Sequence, residues 1–292
     1  NGGRTEMKIA VVTDSNSGIT QKEAEEMGIF VLPMPFMIDQ HTYYEEKDLT
    51  KDDFYEKMAA GAAITTSQPT PEEVTGLWDR LLETYDEVVY IPMSSGLSGS
   101  CQTARLLAQD YEGKVAVVDN QRISVTQRRS VMDAMLLAEE KGMRAAEIKD
   151  FLEEDKFNSS IYVLLDTLTY LKRGGRITPA AAALGNILRL KPVLQIQGEK
   201  LDAFAKARTT TQGKSIMTGA VKNDIGERFG GSNENVWLFI AHSHNEAGAK
   251  AYREELKKEF PGQTIEIQNL SLSIGCHLGP GALALACSRK IV

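Results

Sequence analysis

A two-domain α/β protein is what this sequence predicts, and three features predict it. Short apolar runs alternate with amphipathic helical patterns through the first half, the arrangement of a mainly parallel sheet covered on both faces. Beyond residue 158 two strand-like runs meet about Gly198 as a hairpin, which requires antiparallel pairing. At 292 residues, 42% hydrophobic and 25% charged, the chain has material for two cores. The expected units are residues 7–158, an N-terminal α/β domain with a mainly parallel sheet, and residues 159–292, a C-terminal α/β domain with a mixed or antiparallel sheet.

The elements follow in order. "NGGRTE" before Met7 reads as a tag or linker remnant, and the first strand begins at "MKIAVVTDS". A helix near Thr20 to Met27 precedes the apolar run "IFVLPMPF"; a helix from Lys51 precedes "ITTSQPT". Then come the helix "PEEVTGLWDRLLETY", the strand "EVVYIPM", a helix after Ser98, the strand "KVAVVD" and a long helix through Met135. In the second half "IYVLLD" is a strand, "TLTYLKRGG" a helix stopped by two glycines, and "TPAAAALGNILRL" a helix with Thr178 as N-cap and Pro179 at its first position. "PVLQIQGEKLDAFAKART" is the hairpin, and "VWLFIAHS" and "TIEIQNLS" are strands flanking a helix from Asn245 to Phe260. "ALALACSRKI" is ambiguous, since alternation argues strand and alanine argues helix; strand is favoured.

A formal net charge of -7 argues against a surface built to neutralise nucleic acid. "IFVLPMPFMI" is too short to span a bilayer and carries two prolines, so no integral membrane segment is expected. Three cysteines without a CxxC spacing predict neither a disulfide framework nor a zinc site, which suits a reducing cytoplasm. Neither GxxxxGK[ST] nor a strand followed by GxGxxG occurs, so nucleotide binding by those routes is excluded, and no cofactor is expected.

Four loops share one chemistry: "TDSNSG" (13–18), "TTSQPTP" (65–71), "SSGLSGS" (94–100) and "SIGCHLGPG" (273–281) are all rich in Ser, Thr and Gly. Such residues cap helices and close turns whatever the function. If the loops converge, they make an uncharged anion cradle of hydroxyls and backbone N–H groups. Of four histidines, His277 lies where glycine and proline constrain the chain. His41 falls in a polar surface loop, and His242 and His244 form a polar strand exit with no adjacent cysteine to favour a metal. No GxSxG elbow supports a serine hydrolase.

The ordered set "VVTDSNSGIT", "TTSQPTPEE", "SSGLSGS", "LKRGGRI", "KART" and "SIGCHLGPG", spread over nearly all of residues 8–289, resembles the DegV family of bacterial lipid-binding proteins. The resemblance implies two α/β domains holding one long-chain fatty acid. It also implies a non-catalytic role, presenting the carboxylate to a separate kinase subunit that makes acyl phosphate from ATP. Carried over residue by residue, it implies head-group contacts at Thr66 or Ser67, at Ser94 or Ser95, and at His277, with Gly279 in the same loop. Arg173 and Arg176 of "KRGGR" and Arg208 of "KART" match basic positions associated with the kinase partner. Two departures stand out: Ser100 replaces the usual Thr at the end of "SSxLSGT", and Cys276 precedes the histidine. Two other readings remain at this stage, a stand-alone acyl hydrolase or transferase using Ser95 or Ser98 with His277, and a carrier for another anionic small molecule.

Overall fold

The computed structural model describes residues 6–173, 176–198 and 200–292. The chain opens with β1 (Ile9–Asp14), α1 (Gln21–Met27) and β2 (Phe30–Leu32), then detours through β3 (Pro35–Ile38), β4 (His41–Tyr44), α2 (Lys51–Ala59) and β5 (Ile64–Thr66). It returns with α3 (Pro71–Leu82), β6 (Glu87–Ile91), α4 (Ser100–Ala108), β7 (Val115–Val117), α5 (Ser124–Glu139) and α6 (Ala145–Glu154). Next come β8 (Ser159–Leu164), α7 (Pro179–Leu184), β9 (Lys191–Ile196), β10 (Asp202–Ala207) and α8 (Thr210–Arg228). The chain ends with β11 (Val236–His242), α9 (Glu246–Glu259), β12 (Ile265–Asn269), α10 (Leu272–Leu278) and β13 (Leu283–Arg289).

The first sheet has the order β2-β1-β6-β7, every pair parallel. Its strands read as continuous apolar runs because both faces are covered. Val11, Val89 and Ile91 pack under Val131, Leu137, Ile148 and Leu152 of α5 and α6. Val12, Val88 and Tyr90 pack under Trp78, Leu81, Cys101 and Ala104 of α3 and α4. Capping boxes at Thr20 with Glu23 and at Thr70 with Glu73 start α1 and α3.

The second sheet, β10-β9-β8-β13-β11-β12, is mixed: every pair is antiparallel except β11 with β12. The alternating "ALALAC" run is a strand, β13, and it lies in the interior of this sheet. Helix α5 touches both sheets and is buried along most of its length. Several of its polar side chains reach partners inside the protein. Gln127 Nε2 donates to Thr13 Oγ1 at 3.0 Å and to Asp14 Oδ1 at 3.0 Å. Below its N-terminus, Arg122 is only 2% exposed and reaches the Asp155 carboxylate at 3.2 Å and the Asp155 carbonyl at 2.7 Å.

Several elements depart from the sequence reading. "IFVLPMPF" splits at Pro33: Phe30–Leu32 joins the parallel sheet, while Pro35–Ile38 joins a third, antiparallel sheet of order β4-β3-β5. A proline lacks the N–H that one continuous strand would need there. His41 falls in a strand, β4, rather than in a loop. The described residues of "TLTYLKRGG" form only the 3-10 turn Leu171–Arg173, the two glycines lying outside them, and the helix after Thr178 stops at Leu184. "SLSIGCHL" is helical, with Ser271 as N-cap and Gly279 closing it at φ 77°. Helix α8 was not anticipated, because "TTTQGKSIMTGAVKNDIGER" has glycines and threonines in place of a clear apolar stripe.

Candidate functional site

In an open parallel sheet, ligands bind beyond the carboxyl ends of strands where the order reverses, and here that point lies between β1 and β6. The loops after these two strands do open on a cavity of about 190 Å³. Asn16 comes from the first loop; Met93, Leu97, Ser98 and Gly99 come from the second. The third sheet and α10 complete the rim. Phe36 and Ile38 of β3 pack with Phe54 and Tyr55 of α2 against Leu272 and Cys276 of α10. That packing brings the end of β5 to α10 and sets Thr66 Oγ1 2.9 Å from His277 Nε2, across 211 residues of sequence.

Charge at the mouth comes from Arg176. Its Nε donates to the Leu97 carbonyl at 3.0 Å, and its Nη2 lies 3.5 Å from Thr66 Oγ1. Burial, aided by the Arg176 guanidinium, pushes His277 down to about 4, so its ring is neutral at pH 7. A neutral imidazole offers one donor and one acceptor. Behind Asn16, Asp14 is pushed up to about 6 by burial, opposed by hydrogen bonds from Met93 N–H, Gln127 and Asn16 N–H. Asn16 is fixed in turn by Ser271 Oγ, which donates to its Oδ1 at 2.6 Å. Asp14 thus braces the two loops that form the cavity without lining it.

Deeper in, a second chamber of about 60 Å³ has only apolar surface. It shares Leu97, Ile123, Leu201, Ile274 and Leu278 with the outer cavity, so the two adjoin across these apolar side chains. Its floor is the face of the second sheet: Val163, Ala284 and Ala241 lie side by side in register on β8, β13 and β11. Alanine at two adjacent positions leaves the room that leucine or isoleucine would fill.

Among the residues singled out from sequence, Thr66, Ser67 and His277 line the outer cavity. Ser94 and Ser95 do not; the wall from that loop is Leu97, Ser98 and Gly99. Ser94 is 1% exposed, and its Oγ accepts from Gly96 N–H at 3.3 Å, a turn-closing role. Gly279 also stands outside the lining: a Cβ there would meet the Tyr170 ring at 2.4 Å, so it makes room for that ring. Arg176, grouped by resemblance with the partner-facing basic residues, turns inward instead. Its backbone carbonyl accepts from Leu201 N–H at 3.2 Å, which holds the segment over the cavity mouth. The side chain of Arg173 lies outside the described residues. Arg208 is exposed at the end of β10, with its N–H donating to Gln212 Oε1 at 2.9 Å, away from the cavity.

The serine and metal readings find no geometry. His277 meets Thr66, while Ser98 Oγ is 3.1 Å from Ser100 Oγ, so the pair needed for an activated serine is not formed. His242 Nδ1 accepts from Asn245 N–H and His244 stacks on Tyr55, so the two rings diverge. Among the described residues no group of three or more His, Cys, Asp or Glu side chains is placed to hold a metal, and no helix is long and apolar enough to cross a membrane. Sequence reasoning missed Asn16 and the chamber walls, because an ordinary core position and a chamber wall use the same residues.

A family model described as "Uncharacterised protein, DegV family" matches residues 8–290. A DegV domain-containing protein of Listeria monocytogenes is 33% identical over 292 residues, covering 97% of this chain and 99% of that one. The structure reporting fatty acid binding of a DegV family protein from Thermus thermophilus has a TM-score of 0.88 and 31% identity, covering 97% of this chain and 100% of that chain. DegV, a fatty acid binding protein from Bacillus subtilis, has a TM-score of 0.85 and 30% identity, with the same coverage of 97% and 100%.

Proposed function

The chain belongs to the DegV family, and we propose that it binds one long-chain fatty acid and presents the carboxylate to a separate ATP-dependent kinase subunit. The observation that carries the binding half is the pair of adjoining cavities, one with Thr66, His277 and Arg176 in its wall, the other wholly apolar. The carboxylate sits at Thr66, His277 and Arg176, and the acyl chain runs past Leu97 and Ile274 onto the face of the second sheet. Two similar proteins, from Thermus thermophilus and Bacillus subtilis, are fatty-acid binders, which supports the same ligand class here.

The energetics divide the work. Removing a sixteen-carbon chain from water is worth on the order of 10 kcal/mol gross at ~0.8 kcal/mol per methylene, before the costs of association. A hydrogen bond to the charged head contributes ~1.5–3 kcal/mol. The tail sets affinity and the mouth sets orientation. Arg176 already commits Nε to Leu97, so it attracts the carboxylate without clamping it through that edge of the guanidinium. A carboxylate oxygen keeps a lone pair to attack the γ-phosphorus of ATP; the new O–P bond makes acyl phosphate, and the bridging oxygen leaves with ADP. That nucleotide and its catalytic residues belong to the partner. The exposed Arg208 is the described basic residue from the expected partner set that remains free to face it.

The test is a titration of the purified chain with acids of eight to eighteen carbons, followed by acyl-phosphate assay with the kinase subunit encoded in the same genome. Affinity that rises with chain length, and acyl phosphate made only when both proteins are present, is the expected result. Acyl-ester hydrolysis by the chain alone, lost on His277→Ala, would return the stand-alone enzyme to the front.

A further inference from the structure

On the other side of the Ser15–Gly18 loop lies a larger polar cavity of about 520 Å³ that the fatty-acid reading does not use. Three cations from three helices converge on it: Lys51 at the start of α2, Arg128 within α5 and Arg253 within α9. The rest of the wall is Gly18, Thr20, Glu23 and the edge strand β12 from Thr264. Arg128 is ion-paired through Nη2 to Glu23 at 2.7 Å, with its side chain 15% exposed. Neither Arg253 nor Lys51 forms a salt bridge among the described residues. Three guanidinium nitrogens, Arg128 Nε and Nη1 and Arg253 Nε, are buried with no hydrogen-bond partner, as is the acceptor Gln268 Oε1. Native interiors rarely leave so many buried polar atoms unmatched in one place.

We propose that this cavity is a second ligand site, for a phosphate-type oxyanion, either free or carried on a small metabolite. The volume lies within the range of small-molecule sites, about 300–1,000 Å³. Guanidinium groups match phosphate oxygens in shape as well as charge. A tetrahedral anion presents oxygens in several directions and so reaches cations on three separate helices, where a planar carboxylate reaches fewer. Two acidic residues share the wall. Glu23 is neutralised by Arg128, and Glu266 with Gln268 supplies acceptors for the hydroxyl of hydrogen phosphate or of a sugar. Backbone groups add to the wall: Leu270 N–H donates to the His242 carbonyl, so in the parallel ladder the even-numbered residues of β12 face β11. Ile265, Ile267 and Asn269 therefore direct their N–H and C=O groups outward, toward the cavity side.

The experiment is isothermal titration of the full chain with inorganic phosphate, ribose 5-phosphate and ribose, repeated on Arg253→Gln and Lys51→Ala. Saturable binding of phosphate or ribose 5-phosphate is expected, weakened about tenfold or more by Arg253→Gln, the loss of one charged hydrogen bond. Fatty-acid affinity should stay within about twofold, since neither residue lines the lipid cavity, and it shows that the variants are folded. Binding of both phosphates assigns the site to the phosphate group itself; binding of ribose 5-phosphate alone assigns it to an ester. No saturable binding of either in the millimolar range, equal binding of ribose, or binding that both variants leave unchanged would overturn the proposal.

Discussion

Ala284 stands on β13 in the floor of the inner chamber, and Ala284→Leu is expected to shorten the acyl chain that the protein accepts. The substitution places three more carbon atoms in a space of about 60 Å³. It therefore displaces roughly two to three methylenes of a long acyl chain, a loss of ~2 kcal/mol at ~0.8 kcal/mol each, or about 30-fold in Kd. A chain too short to reach the chamber loses nothing. The ligand-free protein should hold its melting temperature, because the new side chain fills space instead of creating it. Displacement of a fluorescent fatty acid by acids of eight to eighteen carbons gives the profile directly. The curve for the variant should follow the native curve for short chains and flatten for long ones. Equal weakening at every length, or no change at any, would refute the path assigned to the tail.

The remaining expectations concern the mouth, the pH dependence and the buried ion pair. Thr66→Ala should weaken fatty-acid binding by ~1–2 kcal/mol, because His277 Nε2 loses its partner, whereas Ser95→Ala, outside the cavity lining, should leave Kd unchanged; calorimetry separates the two. Glu45, which accepts from Leu272 N–H at 2.9 Å, is pushed up to about 7 by burial, opposed by that bond and by Lys51. A raised carboxyl contributes stability that is fully present below its unfolded value of 4.5 and lost as pH rises through 7. Glu45→Gln keeps an acceptor and does not titrate, so it should stabilise the protein by ~2 kcal/mol at pH 8, with the gain fading toward pH 5 in urea melts. His277 works in the opposite sense. Its lowered value makes a contribution that is present above 6.5 and lost as pH falls through about 4, so fatty-acid affinity should not change with its titration between pH 6 and 8. Arg122→Ala should cost ~3 kcal/mol in chemical denaturation, since it takes from the Asp155 carboxylate, which is 4% exposed, its buried partner and leaves only Asn158 at 2.7 Å and the more exposed Arg289 at 3.5 Å.

Much of the fold could be read from residue patterns, and the reason is local. "VVYI" is apolar on both faces because both faces are covered, and Thr70-Pro71 carries the N-cap and first-turn signal of a helix in the residues themselves. The failures are where distant contacts decide. "SLSIGCHL" has the glycine of a loop, yet it is helical, capped by Ser271, and Gly275 makes room for Tyr55, since a Cβ there would stand 2.3 Å from its hydroxyl. His277 was legible as a candidate from its constrained loop and motif, and it lines the cavity; its neighbour Thr66, 211 residues earlier, was legible only as part of a motif. The inward turn of Arg176 was not legible, because a basic residue past a helix stop carries the same sequence signal whether it faces solvent or a cavity. Ser94 and Ser95 show the converse: hydroxyl-rich loops attract attention, but here the loop contributes Leu97 and Ser98 to the wall.

Native mass spectrometry of the purified chain, followed by denaturing extraction of whatever accompanies it, reads the bound ligand itself. One fatty acid per chain is expected, removable by solvent and restored by added palmitate or oleate. A polar ligand in its place, or a ligand-free mass that neither fatty acid shifts, would contradict it.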